Sequence, residues 1–242
     1  MSYDIVNQRR GEEDNLERFI NEILIDGSHY YCCLLARKKW SAELQEMGVK
    51  ADLGQLKRFT ATNKTLISKL YQLEICEDGY EIDGMPIPQD ALGVYINPNP
   101  IDNRKATFHL FKSLTNRIER DEFDFSLHHE TYTALQTNSK KLYFDVDVDI
   151  DEAELKKPTA RELVFTAFIP SINQNCIRRI DTRGGFHILV ELSKIDKQYQ
   201  NTWYQSFSNL KAKSFTKDIM MNSNGLVPIP GCCQGGFVPK LI

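Results

Sequence analysis

The sequence predicts a mixed fold, α/β or α+β, and three observations carry that reading. Short apolar runs of strand length occur at His29 to Ala36, at Ala91 to Ile96 and at Ile188 to Val190. Other segments repeat apolar residues at helical spacing, as at Leu16, Phe19, Ile20, Ile23 and Leu24. Between them, Lys141-Leu142-Tyr143-Phe144-Asp145-Val146-Asp147-Val148-Asp149 alternates apolar and polar residues, the period of a strand with two unlike faces. Helical and strand patterns interleave along the whole chain, without internal repeat or low-complexity segment.

The elements follow in order. A helix is expected from Asp14 to Ile25, stopped by Gly27-Ser28, and then a buried strand from His29 to Ala36 with the basic exit Arg37-Lys38-Lys39. Thr62-Asn63 are expected to cap a helix that carries Leu66, Ile67, Leu70 and Leu73 on one face. After a turn-rich stretch from Glu77 to Asp90, the strand Ala91 to Ile96 closes on the turn Asn97-Pro98-Asn99-Pro100. A helix from Ala106 to Ile118 has Arg104, Lys105, Lys112, Arg117 and Arg120 on or near it. The acidic strand comes next, then a helix or loop from Ala160 to Ala167, the strand centred on His187, and a helix from about Gln198 to Leu210.

The 242 residues suffice for one large domain or two small ones, and a net charge of −3 means that no global basic field announces nucleic acid. Met1 to Leu16 contains no apolar core of a secretory signal, and no run approaches the length of a membrane span. The six cysteines form no CxxC pair and no zinc-ligand spacing, so they read as reduced cysteines of a cytoplasmic protein.

The acidic strand points to chemistry. Its one face carries Asp145, Asp147 and Asp149, like charges about 7 Å apart that repel unless something offsets them, most often a divalent cation. An EF-hand is excluded: counted from Asp145, the sixth position is Ile150 where glycine is needed and the twelfth is Lys156 where glutamate belongs. A solvated edge strand with acidic gatekeepers is the bland alternative, opposed by the strongly β-forming Phe144, Val146 and Val148. Two aspartates at i and i+2 are what a two-metal phosphoryl or nucleotidyl transfer site needs to bridge its cations. Downstream, Arg183-Gly184-Gly185-Phe186-His187 places a histidine and an arginine beside a glycine turn that a ligand can approach closely. A lone histidine there would be a core residue; beside the arginine, the turn and the acidic strand it points to phosphate binding.

The two motifs resemble those of the archaeo-eukaryotic primase superfamily, in its phage and plasmid form. The family's strand with D-x-D matches Asp145-Val146-Asp147, and its small-x-His matches Gly185-Phe186-His187. Ala91 to Pro98 is similar to a strand ending in Asn-Pro in such members, and the resemblance covers the chain from about Ala91 onward. It implies a third acid after a hydrophobic residue or near a helix end, for which Asp218 is the candidate and Asp149 the substitute. It further implies Mg²⁺ or Mn²⁺ on Asp145, Asp147 and Asp218, nucleotide contacts from His187, Arg183 and Gly185, and a phosphate contact from Lys240.

The implied fold is an N-terminal α/β lobe, residues 1–137, packed on a catalytic antiparallel sheet of the RNA-recognition-motif type, residues 138–242. The implied activity is template-directed nucleotidyl transfer, priming or extending on single-stranded DNA from nucleoside triphosphates, with a replicative helicase as candidate partner in a bacterial, plasmid or phage context. The chain would be a stand-alone primase subunit or the catalytic part of a longer protein. A template track could use Arg37, Lys38, Lys39, Lys57, Arg58 and the Arg104 to Arg120 cluster, each of which reads equally well as a solvated charge.

Other readings are weaker. A polymerase-β-type transferase needs a Gly-Ser pair shortly before its carboxylates, which is missing here. In a rolling-circle nickase two histidines flank one hydrophobe, whereas His128 and His129 are adjacent and would point to opposite faces of a strand. A different class is a degenerate primase-like module that only binds nucleic acid or a replication partner.

Overall fold

A computed structural model describes residues 3–7, 13–47, 54–82, 84–157, 159–166, 172–205 and 216–242. The first half builds α1 (Glu13–Ile23), β1 (Tyr30–Ala36), α2 (Ala42–Glu46), β2 (Gly54–Ala61), α3 (Leu66–Glu74), the small hairpin β3 (Glu81–Ile82) and β4 (Met85–Pro86), and β5 (Leu92–Ile96). The antiparallel helices α4 (Asn103–Glu119) and α5 (Leu127–Thr137) follow. The second half contributes β6 (Tyr143–Ile150), α6 (Glu152–Leu155), α7 (Ala160–Thr166), β7 (Ile177–Asp181), β8 (Gly185–Glu191), β9 (Thr216–Asn222), β10 (Val227–Pro228) and β11 (Lys240–Leu241). This is an α+β protein. Among the described residues no helix is long and apolar enough to cross a membrane.

Two antiparallel sheets organise these elements. One has the order β10-β5-β1-β2 and the other β11-β7-β8-β6-β9. The division at 137/138 separates the sheets except for β10, whose Val227 and Pro228 return to pair with Ile96 and Tyr95. β1 is buried along its whole length because both of its faces are covered. Tyr30, Cys32 and Leu34 enter the large core with α1 and α3, while Tyr31, Cys33 and Leu35 enter a smaller one with Ala106 of α4 and Tyr132 and Leu135 of α5. The adjacent cysteines therefore point apart, and all six in the chain are free thiols.

The second sheet also uses both faces. Val146, Val148, Phe186, Ile188 and Val190 pack on one side against Val164, Phe165 and Trp203. Tyr143, Ile180, Leu189 and Leu241 face the other way and join the core of the first sheet. α1 fastens that junction: Arg18 donates to the Leu241 carbonyl at 3.2 Å and Asn15 accepts from the Leu241 N–H at 3.0 Å.

Several local expectations are corrected. The cap of α3 is Thr65, and it is the Thr62 carbonyl, not its side chain, that accepts the Leu66 N–H. His128 and His129 lie on α5, so neither belongs to a strand. Asp218 lies on β9 and not near a helix end. The helix expected from about Gln198 to Leu210 falls partly outside the described residues; 197–202 are turns, and helical backbone begins at 203.

Candidate active site

Register decides which side chains meet. β6 pairs with β8 so that Asp145, Asp147 and Asp149 stand opposite Leu189, His187 and Gly185. On its other edge β6 pairs with β9, which sets Asp145, Asp147 and Asp149 opposite Asn222, Met220 and Asp218. Directly paired residues of antiparallel strands share a face. One face of three adjacent strands thus carries four carboxylates and the imidazole. The row runs from the core outward: Asp145 is 4% exposed, Asp147 and Asp149 are half-buried, and Asp218 is exposed.

The imidazole sits between the first two acids. His187 Nδ1 is 2.9 Å from Asp145 Oδ1, and Nε2 is 3.5 Å from Asp147 Oδ1. Burial alone would push the His187 pKa down, but the charge of Asp145 and the hydrogen bond to it, then Asp147 and Asp149, outweigh that and hold it at about 9. The side chain is an imidazolium at neutral pH, donating Nδ1–H to Asp145. The carboxyl of Asp147 is pushed up, chiefly by burial; Asp145 and Asp149 add to this, while His187 and Lys39 oppose it. The repulsion expected along β6 is therefore offset at Asp145 and Asp147 by a protein cation.

A second wall comes from the first sheet. Trp40, in the single 3₁₀ turn Lys38–Trp40 after β1, lies parallel to Tyr95 with ring centroids 6.4 Å apart. The Tyr95 hydroxyl accepts from Gln234 Nε2 at 3.0 Å, and Gln234 Oε1 accepts the Arg183 N–H at 2.9 Å. Arg183 Nη1 donates to the carbonyls of Trp40 and Gly235. This ring of contacts ties the turn before β8 to both the first sheet and the C-terminal loop. Arg37 and Asp147 both lie close enough to Tyr95 to act on its hydroxyl, whose pKa burial pushes up to about 12.

The remaining candidates are placed as follows. Arg183 is a strut between the walls. A Cβ on Gly185 would lie 1.9 Å from the Val148 carbonyl oxygen, so the glycine lets β6 approach closely. Lys240 is paired with Asp181, which is paired with Phe186, so its side chain leaves the sheet on the face opposite His187. Arg58 shares the face of Cys33 and reaches His129 of α5 at 3.2 Å, whereas Lys57 pairs with Leu34 and points the other way.

Sequence reasoning missed three supports. Asn99 accepts the N–H groups of Leu142 and Tyr143 and donates to the carbonyls of Tyr143 and Ser223, so it holds the start of β6 and the end of β9. Gly225 leaves room for the Asp145 carboxylate, since a Cβ there would lie 2.3 Å from Oδ2. Gln234 joins Tyr95 to the Arg183 turn. Only the Asn-Pro turn carried a hint, by its position before a helix.

Hard oxygen donors of this kind suit Mg²⁺ or Mn²⁺ in chemistry. Among the described residues, however, no group of three or more His, Cys, Asp or Glu side chains stands close enough to hold a metal ion. No family model matches the chain, and no curated protein or solved structure is detectably similar to it.

Proposed function

We propose that the chain is a nucleotidyltransferase of the primase–polymerase type, adding nucleotides to a 3′-hydroxyl on a single-stranded DNA template. The observation that carries this reading is the shared face of Asp145, Asp147, Asp149, His187 and Asp218, with Lys39 and Tyr95, which packs with Trp40, close enough to Asp147 to interact with its charge. The strand order β9-β6-β8-β7, with α6 and α7 between β6 and β7, supports a lobe of the RNA-recognition-motif type.

Asp145, Asp147, Asp149 and Asp218 are the residues that would hold the metal, which would have to draw them closer together than they stand. A bound Mg²⁺ or Mn²⁺ would supply Lewis acidity to the attacking hydroxyl and the triphosphate. The protein groups have distinct tasks. The bond from Nδ1 to Asp145 fixes the imidazolium ring of His187. Nε2–H, too far from Asp147 for a good hydrogen bond, can then donate to a phosphate oxygen. Lys39 adds positive charge beside Asp147. Arg183 keeps the two walls in register rather than touching the nucleotide. Catalysis of this kind is positional and electrostatic.

One observation favours a second reading, a catalytically degenerate nucleic-acid-binding module: His187 already neutralises part of the acidic row. Nucleotide incorporation on primed and unprimed single-stranded templates separates the two. The native chain should make product only with Mg²⁺ or Mn²⁺, and Asp145→Ala plus Asp147→Ala should make none. Template binding without product under every condition would overturn the polymerase reading in favour of the binding module.

A further inference from the structure

The outer face of α4 is exposed. Phe108 and Phe111 are 67% and 66% exposed, large rings that a helix normally buries. With Asn103, Arg104 and Thr107 they line an open groove of about 400 Å³. Arg104, Phe108 and Phe111 follow at i, i+4 and i+7, with Lys112 beside Phe111, so one stripe carries cation, ring, ring, cation. Arg104 and Lys112 lie about 12 Å apart along the axis.

These two cations differ from their neighbours. Lys105 is paired with Asp102, and Arg117 is held by Glu130, Glu122 and the ring of Phe125. Among the described residues, Arg104 and Lys112 form no ion pair, and the only acid on α4 is Glu119 at its far end. The stripe begins at Arg104, shortly after the turn whose Asn99 braces β6.

We propose that this stripe is a stacking platform for single-stranded DNA, with bases on Phe108 and Phe111 and phosphates on Arg104 and Lys112. Aromatic faces accept any base, and the flanking cations match a phosphodiester chain, whereas an apolar protein partner would leave both cations uncompensated. The proposal rests on the primase–polymerase reading for its ligand and gives one stretch of the expected template track a specific mode of contact, base stacking.

The test is fluorescence anisotropy of a labelled oligo-dT on the full chain across a salt series. All four side chains are exposed, so the variants should keep the fold, which circular dichroism checks. Phe108→Ala plus Phe111→Ala should weaken binding about tenfold or more. Arg104→Ala plus Lys112→Ala should lower the slope of log K against log salt by about 1.4, two phosphates' worth for a single strand. Unchanged affinity and slope would overturn the platform. So would a change of oligomeric state in the phenylalanine variant with DNA binding intact, which would make the face an interface between copies. If the native chain incorporates nucleotides while both variants bind DNA normally, the platform fails and the polymerase reading stands. If the variants lose DNA binding while the native chain never incorporates, the reverse holds.

Discussion

The buried pair of His187 and Asp145 makes stability depend on pH in a definite direction. A histidine whose pKa rises from its ordinary 6.5 to about 9 on folding binds its proton more tightly in the folded state. That stabilisation is present in full below about pH 6.5 and is lost as pH rises through 9. A shift of this size corresponds to at most about 3 kcal/mol, at 1.36 kcal/mol per pKa unit. The assay is urea unfolding at pH 6 and pH 9.5 with a chelator present, comparing the native chain with His187→Gln. The comparison matters because the buried thiols of Cys33 and Cys233, pushed up to about 12, also favour the folded state less as pH rises. They act equally in both proteins. The native chain should therefore lose about 3 kcal/mol more than the variant, and equal losses would refute the imidazolium between Asp145 and Asp147.

Three further outcomes test the supports. Asn99→Ala strips the buried N–H groups of Leu142 and Tyr143 of their acceptor and should cost about 2–4 kcal/mol of unfolding free energy; a cost below 1 kcal/mol would show that the brace is dispensable. Gly225→Ala should cost about 1–3 kcal/mol, because its Cβ displaces the Asp145 carboxylate. The same variant should move the His187 pKa back toward 6.5 in an NMR titration, whereas a purely structural effect would leave it near 9. Asp149→Asn should impair metal-dependent nucleotide incorporation at least as much as Asp218→Asn, since the two are cross-strand partners on one face, while Lys240→Ala should leave it unchanged.

Much of the architecture could be read from side-chain period. The alternation in Tyr143 to Asp149 set both the strand and its acidic face, and the apolar run after His187 set its neighbour. What the sequence did not carry was register. Whether Asp218 meets Asp147 or Asp149 depends on pairing between β6 and β9, and nothing in either strand marks it. Lys240 was chosen by resemblance alone, and the pairing of β11 with β7, which no local pattern marks, puts it on the face opposite His187. Gly185 was read as the place where a ligand approaches closely, and the approach that the structure shows there is that of the neighbouring strand. The adjacent histidines show the limit of local pattern: Leu127 to Thr137 has little periodicity of its own, and Ser126, which accepts the His129 N–H, is the signal that begins the helix. The ring joining Trp40, Tyr95, Gln234 and Arg183 spans almost the whole chain and leaves no local trace.

The central claim is that the acidic face gathers a divalent cation beside a nucleotide. A Mn²⁺ titration followed by electron paramagnetic resonance, with a nucleoside triphosphate present, tests it without requiring turnover. The native chain should bind Mn²⁺ in a complex with the triphosphate, and Asp147→Asn should lose that binding. Identical Mn²⁺ binding by both proteins, or none by either, would contradict the account and leave the face as a carboxylate row held by His187.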